Sequence, residues 1–359
     1  MHRSKTRWLI AAGVLWLLLW LSACQPQQRY QQSFLQFGTL IDITLVSASE
    51  ARAQQTFERI ETLLKQRHRQ WHGWQDGELK RLNDALASGK TVEIPPVLRE
   101  LIIDSKKYYR LTGERFNPAL GKLIAAWGFH ASSKPDLALI QTIQHKLPGM
   151  NDLIIEGNQA RSTNRHLQLD FGAIAKGLAI RQIATLIRQQ GINRFIINAG
   201  GDIYADAGSG QPGWRIAIEN PFFAQGHARV IGGITLQHPT SIFTSGNYRR
   251  FVVDENGQKR HHIIDPKTGA PSRSISAVTV ISDDPVLADV AATTLMLTPL
   301  PELAAMAKAL GIADYLIITE QHEAWLSVTM NERIEWIENS ALTPHIIKTS
   351  GEQPNKLAE

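Results

Sequence analysis

The segment at residues 170–177, DFGAIAKG, combines acidic, small and basic side chains at the end of an apolar run. It predicts a strand that ends at Asp170, then a tight turn and a helix whose first turn holds small residues. Helix N-termini attract phosphate because their N–H groups are free and their dipole is positive. Lys176 adds positive charge, and Asp170 could accept hydrogen bonds from a ribose or a polar ring edge. The segment therefore indicates a phosphate-binding site, although a helix-capping role explains Asp170 about equally well.

Two further segments place small or hydroxyl side chains near predicted strands. In NAGGD, at residues 198–202, two glycines follow a short apolar strand, where they allow a positive φ and the close approach of another group. Taken alone, this segment is more simply a turn between two strands. The second segment, TSGNY at residues 244–248, precedes a pair of histidines in the chain.

The histidine pair, His261 and His262, stands just before the turn sequence DPKTG at residues 265–269. Neighbouring residues of a strand point to opposite faces, so the two imidazoles cannot easily share one metal ion. One of them could instead face a pocket and take a proton from a hydroxyl group, because the reference pKa of histidine is close to neutrality. The turn sequence itself could be only the tip of a hairpin.

A candidate cation site lies in ADVAAT, at residues 288–293. Asp289 and Thr293 are four residues apart and therefore share one face of a helix. Carboxylate and hydroxyl oxygens suit Mg²⁺, which keeps several waters and binds substrate phosphates. For this pair alone, the simpler interpretation is that Thr293 bonds within its own helix and Asp289 points to water.

These segments need a mixed set of helices and strands to position them. Asp284 suits the N-cap, and Pro285 the first position, of a helix that reaches about residue 297. Periodicity predicts further helices over residues 50–70, 96–111, 174–190 and 299–310, strands over 37–46, 195–199 and 315–319, an irregular stretch over 113–130, and strands alternating with turns over 214–281. The expected class is α+β, with mixed, largely antiparallel sheets flanked by helices in one compact unit. This unit spans residues 34–345, and a polar tail follows at 346–359.

Composition excludes several classes of protein. The chain has 359 residues, of which 43% are hydrophobic and 20% charged, as in a foldable globular protein. Its one cysteine excludes an intramolecular disulfide framework and multi-cysteine metal sites. The net charge of +5 invites a nucleic-acid interpretation, but three of the positive charges lie within residues 1–7. No nucleic-acid partner is therefore expected.

The N-terminus has the features of an export signal. A positive segment precedes a 14-residue apolar run at residues 8–21, which is short for a membrane-spanning helix and typical of a signal peptide. The following LSAC resembles a bacterial lipobox, which predicts a signal peptide at 1–23 and lipidation of Cys24. Residues 24–33 are then expected to form the lipidated cysteine and a polar tether. An uncleaved N-terminal anchor is the alternative.

Together, DFGAIAKG, NAGGD, TSGNY, HHIIDPKTG and ADVAAT resemble the motifs of the ApbE family, the FAD:protein FMN transferases. The resemblance runs from Phe37 to Thr293. It implies an ApbE-like fold, of the duplicated T-fold type, that binds FAD with Mg²⁺. It also implies transfer of FMN to a threonine hydroxyl of an acceptor protein through a phosphoester bond, with release of AMP.

The resemblance also implies roles for individual residues. Asp289, Thr293 and the main-chain oxygen of Ala173 would bind Mg²⁺. Asp170 and Lys176 would contact FAD. His262 would be the catalytic base, with Asp265 beside it in the same motif. The flavin pocket would be lined by Thr244, Ser245, Gly246 and Ile264.

The match is looser toward the N-terminus. Phe37 stands where the family has an apolar residue before Gly-Thr, and Trp74 stands near a family tyrosine that stacks on the isoalloxazine ring. The loop that holds Trp74 is one residue shorter here. Arg115, Phe116 and Asn117 would meet the adenosine half of FAD. Asn117 replaces a frequent aspartate, which removes a charge but keeps hydrogen-bonding capacity.

The resemblance sets the expected partners, location and alternatives. Family members serve acceptor flavoprotein subunits of membrane redox complexes, which fits a lipid-anchored enzyme at the periplasmic face of a bacterial membrane. Two other functions fit the same motifs: an FAD pyrophosphatase, in which water replaces threonine, and a flavin-binding lipoprotein that catalyses nothing.

Overall fold

The computed structural model describes residues 27–130, 134–223, 226–248, 251–253, 259–338 and 342–347. In chain order its strands are β1 (Gln28–Gln36), β2 (Thr39–Ser47), β3 (Val92–Glu93), β4 (Leu153–Glu156), β5 (Gln159–Ser162), β6 (Phe195–Ala199), β7 (Asp202–Asp206), β8 (Trp214–Glu219), β9 (Val230–Leu236), β10 (Thr240–Gly246), β11 (Phe251–Val253), β12 (Lys259–His261), β13 (Ile264–Asp265), β14 (Ala270–Pro271), β15 (Ile275–Ser282), β16 (Asp314–Thr319), β17 (Glu323–Ser327), β18 (Glu335–Trp336) and β19 (Thr343–Ile347). The α-helices are α1 (Glu50–Trp71), α2 (Glu78–Ala87), α3 (Pro96–Leu111), α4 (Gly121–Ala126), α5 (Leu137–Gln144), α6 (Ala175–Gln189), α7 (Pro285–Met296), α8 (Leu303–Leu310) and α9 (Val328–Arg333).

One nine-stranded sheet organises the molecule, in the order β1-β2-β6-β7-β10-β15-β16-β17-β19. Its neighbouring strands are antiparallel except for the β17–β19 pair, which is parallel. Smaller sheets form from β18-β9-β8, β3-β5-β4, β11-β12 and β13-β14. The predicted α+β class with mixed, largely antiparallel sheets is confirmed.

The two faces of the main sheet pack against different layers because side chains alternate along each strand. On β10, Phe243 packs with the helices α1, α6 and α7, whereas Ile242 packs with the β8–β9 sheet and α9. A third cluster joins α4 and α5 to Ile264, so the DPKTG turn is held against these two helices. Trp127 strengthens this contact, since its indole N–H donates to the carbonyl of Gly269 at 2.9 Å.

The polar tether predicted at 24–33 is wrong for its second half, because residues 28–33 belong to β1. This strand pairs with β2 along its whole length, from Gln28 opposite Ser47 to Gln36 opposite Thr39. Its polar composition misled the prediction because β1 is an edge strand and buries only Phe34. The predicted C-terminal tail also begins too early, since Ile346 and Ile347 belong to β19.

Most helix boundaries follow the local sequence signals. The helices α3 and α7 begin at Pro96 and Pro285, and the side chain of Asp284 caps α7 by accepting from the N–H of Val286 at 2.9 Å. The predicted helix over 299–310 is split, because a 3₁₀ turn at Leu300–Glu302 precedes α8. Sequence periodicity missed α2, and it missed α4 within the stretch predicted to be irregular.

The signal sequence at 1–23 and Cys24 lie outside the described residues. Among the helices that are described, none combines the length and the hydropathy of a membrane-spanning segment.

Candidate active site

The carboxylate of Asp289 lies where α7 crosses the start of α6. Its side chain is 4% exposed, and Oδ2 accepts a hydrogen bond from the N–H of Gly177 at 2.9 Å. Burial raises the pKa of Asp289, while the nearby Lys176 ammonium and the N–H groups of Lys176 and Gly177 lower it. The N–H of Gly177, in the first turn of α6, is thus bound by a carboxylate of the protein, and phosphate binding at this helix N-terminus stays a prediction. The alternative in which Asp289 points to water is wrong.

Close backbone packing makes this contact possible. A Cβ atom at Gly177 would stand 2.4 Å from the carbonyl oxygen of Pro285 and 2.8 Å from the Cα of Val286. Real Cβ atoms do not approach other atoms this closely. Only glycine therefore lets the first turns of α6 and α7 touch and bring Asp289 to the N–H groups of α6.

The ammonium of Lys176 pairs with the carboxylate of Asp202, a buried residue at the start of β7. The other carboxylate oxygen of Asp202 accepts from the backbone N–H of Thr244 on β10 at 3.1 Å. Lys176 thus pairs with Asp202, and its charge also lowers the pKa of the buried Asp289. The sequence analysis did not predict that Asp202 pairs with Lys176, although Asp202 is the last residue of the NAGGD segment.

The end of β10 places its two hydroxyl residues on opposite faces of the sheet. Thr244 Oγ1 lies 2.9 Å from Thr279 Oγ1, whereas Ser245 Oγ lies 3.3 Å from Thr293 Oγ1 on α7. Thr293 stands one helical turn after Asp289, on the same side of α7. The alternative in which Thr293 bonds within its own helix does not match these contacts. Thr294 makes that bond instead, to the carbonyl of Val290.

These residues fit a hard cation. Within the described ranges, no three His, Cys, Asp or Glu side chains converge on one point. A cation at Asp289 would therefore add hydroxyl, main-chain, water or phosphate oxygens, and Mg²⁺ accepts such a set. Ala173 lies in the turn before α6, four residues from the Gly177 N–H that binds Asp289. A buried carboxylate beside a lysine that pairs with another carboxylate, Asp202, is a suitable place for positive charge.

A second group of predicted residues surrounds the imidazole of His130. Its ring centroid lies 3.9 Å from that of Trp74, with 35° between the planes. Its Nε2 lies 3.3 Å from Oδ2 of Asp170. Oδ1 of Asp170 accepts from the N–H of Gly172 at 2.8 Å, and α6 begins only at Ala175. Asp170 therefore shapes the turn before the helix, and the helix-cap alternative is wrong.

The loop that carries Trp74 is fixed by a neighbouring histidine. His72 Nδ1 accepts from the N–H groups of Trp74 at 3.1 Å and Gln75 at 3.0 Å. Burial lowers the pKa of His72, as do His68 and His130, while Asp170 raises it. Phe37 lies nearby, and its N–H donates to His68 Nδ1 at 3.2 Å.

Protein contacts engage the side chains predicted for the adenosine half of FAD. Phe116 is 1% exposed, its ring packs edge-on against Tyr108, and its N–H donates to Thr112 Oγ1 at 3.0 Å, so the residue belongs to the core. Arg115 pairs with Glu302. Asn117 donates to the carbonyl of Pro148 at 2.9 Å and accepts from the N–H of Ala119 at 3.1 Å. The amide of Asn117 thus uses both its donor and its acceptor in contacts with the protein.

The two adjacent histidines have different surroundings, and β12 ends at His261, so His262 lies outside the strand. His261 is 7% exposed, its Nε2 lies 2.6 Å from the carbonyl oxygen of Ser272, and its Nδ1 accepts from the N–H of Ile263. Burial lowers the pKa of His261, while the bond to Ser272 raises it. His262 is half-buried and packs edge-on against Phe129, with 6.4 Å between the ring centroids. The backbone thus holds His261 at both ring nitrogens.

The rest of the DPKTG motif is mainly structural. The carboxylate of Asp265 accepts from the N–H of Lys267 at 2.9 Å, and its carbonyl accepts from Gly269. Ile264 is buried among residues of α4 and α5. Because Phe129 precedes His130, the motif lies close to the Trp74–Asp170 group.

A family model places this site among known proteins. The model of the ApbE family matches residues 37–316, which include every site residue described above. The chain belongs to the ApbE family.

Individual members of the ApbE family support this assignment over most of the chain. An FAD:protein FMN transferase from Rhodobacter capsulatus is 34% identical over 323 residues, which are 89% of this chain but 61% of that longer protein. One from Vibrio cholerae is 30% identical over 323 residues, 87% of this chain and 93% of that protein.

Solved structures of ApbE proteins share the fold. The structure titled flavin transferase ApbE from Vibrio cholerae has a TM-score of 0.72 at 27% identity, and covers 86% of this chain and 100% of its own. The ApbE protein from Thermotoga maritima has a TM-score of 0.77 at 24% identity, and covers 85% and 99%.

The fold thus brings the predicted ApbE residues into two adjoining groups. The polar group consists of Lys176, Ser245, Asp289 and Thr293, together with Asp202, which pairs with Lys176. In the aromatic group, His130 lies between Trp74 and Asp170. No pattern in the sequence indicated His130, which follows the packing residues of a short WGF segment. The turn at 170–175 connects the two groups.

Proposed function

We propose that this protein transfers FMN from FAD to a threonine hydroxyl of an acceptor flavoprotein, releases AMP, and uses Mg²⁺ at Asp289 and Thr293. As a member of the ApbE family, the protein is an FAD:protein FMN transferase. The observation that carries the finer proposal is the buried Asp289 carboxylate, set at the N-terminus of α6 beside the hydroxyl groups of Thr293 and Ser245.

Each part of the polar group has a role in this reaction. Asp289, Thr293 and the carbonyl of Ala173 would hold Mg²⁺, which would neutralise charge on the pyrophosphate of FAD. Asp202 keeps the Lys176 ammonium beside the same site. In this proposal, Asp170 and Trp74 would bind the parts of FAD that lie beyond the pyrophosphate.

The chemical step needs a base, because a threonine hydroxyl is a weak nucleophile until its proton is removed. In this proposal, His262 accepts that proton. The threonine oxygen forms a bond to the phosphorus of the FMN half as the bond to the AMP phosphate oxygen breaks, and AMP leaves with the electron pair. Positioning and charge stabilisation supply most of the catalysis in reactions of this type.

We place the enzyme at the periplasmic face of a bacterial membrane, held by a lipid on Cys24. The support is the signal-like sequence at 1–24. Only residues 25–27 separate Cys24 from β1, so the catalytic domain would sit close to the lipid surface. Acceptor subunits of membrane redox complexes are the partners that such a position favours.

The test uses residues 25–359 with FAD, Mg²⁺ and an acceptor subunit that the Vibrio cholerae enzyme flavinylates in a parallel reaction. The expected result is a covalent FMN mass shift on the acceptor, which excess EDTA abolishes and added Mg²⁺ restores. Asp289→Asn keeps the side-chain volume and should lower transfer at least a hundredfold while FAD still binds.

Three outcomes count against the proposal. No mass shift, with a positive parallel reaction, would reject transfer to this acceptor class. Release of FMN and AMP at the same rate without acceptor would favour the pyrophosphatase alternative. Tight FAD binding with no turnover in Mg²⁺ would favour a binding protein.

A further inference from the structure

We propose that the acceptor protein binds as an extended segment along the outer edge of β8, in a cleft on the far side of the main sheet from α6 and α7. This inference rests on the proposed transfer to a protein threonine, because it names the surface that such an acceptor would use. The β8 cleft, as we call it, has a volume of about 360 Å³ and lies between β8 and the strands β2, β6, β7 and β10.

The backbone of β8 forms one wall of the β8 cleft. Four consecutive residues, Ile216–Glu219, line the cleft. Side chains alternate along a strand, so four residues in a row can line a cavity only where the strand turns its backbone edge toward it. Within the described residues β8 pairs with β9 alone, through its other edge. The edge that faces the cleft therefore offers N–H and C=O groups to an added strand, which is a common mode of peptide recognition.

The β8 cleft and the polar group of the candidate active site meet at the end of β10, on opposite faces of the main sheet. Thr244 and the Gly200–Gly201 turn line the cleft. The N–H of Thr244 donates to Asp202. The next residue, Ser245, faces Thr293 on the other side of the sheet. An extended segment advances about 3.3 Å per residue, so a few residues would carry a threonine past the end of β10 to Asp289.

Two exposed leucines stand at the entrance of the β8 cleft. Leu35 on β1 and Leu40 on β2 face each other across the hairpin, and their exposed fractions are 75% and 49%. Leu40 also lines the cleft, together with Asp42 on the same face of β2. A bound protein segment would cover this apolar pair.

The experiment measures binding separately from transfer. FAD-loaded enzyme without Mg²⁺ is titrated with the same acceptor subunit by surface plasmon resonance, and KM for the acceptor is then measured with Mg²⁺. The variants are Ala217→Arg, which fills the cleft from β8, and Leu40→Asp. The matched control is Ile103→Asp, which alters a 52% exposed side chain on α3. Hydrogen exchange on β8 is followed with and without acceptor.

The expected result is a rise of at least tenfold in Kd and KM for both cleft variants, with FAD affinity unchanged and the control like wild type. The amides of Ile216–Glu219 should exchange more slowly when acceptor is bound. Wild-type Kd and KM in both variants would overturn the proposal, as would absence of any acceptor binding. A wild-type dimer that Ala217→Arg converts to monomer would assign the edge to self-association instead. If acceptor binds and protects β8 but no FMN is transferred, the cleft stands and the proposed transfer fails.

Discussion

The imidazole of His130 covers the indole of Trp74, with 3.9 Å between the ring centroids, and its Nε2 lies 3.3 Å from Asp170. Trp74 and Asp170 are both predicted to contact FAD. His130 therefore lies between two predicted ligand contacts. When FAD binds, the His130 ring must either move away or contact Trp74 together with FAD.

Removing the His130 ring should tighten FAD binding. An aromatic pair contributes about 0.5–1.5 kcal/mol beyond its buried area, so His130→Ala should lower the Kd for FAD by a factor of about 2 to 13. Quenching of flavin fluorescence measures this Kd. His130→Asn is the control, because it loses the stacked ring but can still donate to Asp170. Weaker binding in His130→Ala would show instead that His130 itself holds the flavin.

The two adjacent histidines should give opposite phenotypes. His262→Ala should lower the rate of FMN transfer at least a hundredfold with little change in FAD affinity or in the free energy of unfolding. His261→Ala removes a buried donor from the Ser272 carbonyl and should cost about 1–3 kcal/mol of stability. Mass spectrometry of the acceptor and urea denaturation separate these effects. Loss of transfer in a still-folded His261→Gln variant, with normal transfer in His262→Ala, would contradict the assignment of the base.

Burial of His261 also predicts a pH dependence of stability. Its pKa in the folded protein is lowered from the reference value of 6.5, chiefly by burial. The unfolded chain therefore takes up a proton first as the pH falls below 6.5. Stability is fully present above that pH and is lost as the pH falls toward the lowered pKa, by at most about 1.4 kcal/mol per pH unit for one proton.

The check is a comparison of urea midpoints at pH 7.5 and 5.5 in wild type and His261→Gln. The pKa values of His72 and His166 are also lowered, so wild type alone cannot isolate one residue. A smaller drop in midpoint is expected in His261→Gln. An equal drop in both proteins would exclude His261 as a source of the pH dependence.

The sequence predicted the parts of this site that depend on local rules. Asp284 and Pro285 mark the start of α7, and helical spacing then puts Asp289 and Thr293 on one side. The partners of these residues come from distant segments, and periodicity carries no information about them. The tertiary fold alone brings Lys176 to Asp202 and Trp74 to His130. The edge strand β1 was missed for a related reason: a strand that buries little apolar surface has little alternation to detect.

Removing only one partner of the Lys176–Asp202 ion pair should lower the free energy of unfolding. Lys176→Met leaves the buried Asp202 carboxylate without its ammonium, although Asp202 keeps the N–H of Thr244. Lys176 is about one-third exposed, so screening reduces the effect, and a loss of about 2–3 kcal/mol is expected. The double variant Lys176→Met/Asp202→Asn should recover most of it.

Denaturant unfolding of the wild type, both single variants and the double variant forms a complete double-mutant cycle. FAD affinity is measured in parallel, since Lys176 is also a predicted FAD contact. Additive losses in the cycle would show that the two side chains do not interact in solution.

The close approach of α6 and α7 makes Gly177 a sensitive position. In an isolated helix, Gly→Ala stabilises by about 1 kcal/mol. Here the added Cβ would meet the backbone of Pro285 and Val286 at 2.4 and 2.8 Å, and backbone atoms cannot rotate away. The helices must separate, which should cost about 1–3 kcal/mol as overpacking does and should draw Asp289 away from the Gly177 N–H. Gly177→Ala should therefore lose stability and also need more Mg²⁺ for half-maximal transfer.

Thr185→Ala, at an exposed position of the same helix, is the matched control and should keep wild-type Mg²⁺ dependence. If Gly177→Ala is as stable as wild type and transfers FMN at the same Mg²⁺ concentration, then the contact between α6 and α7 does not position Asp289.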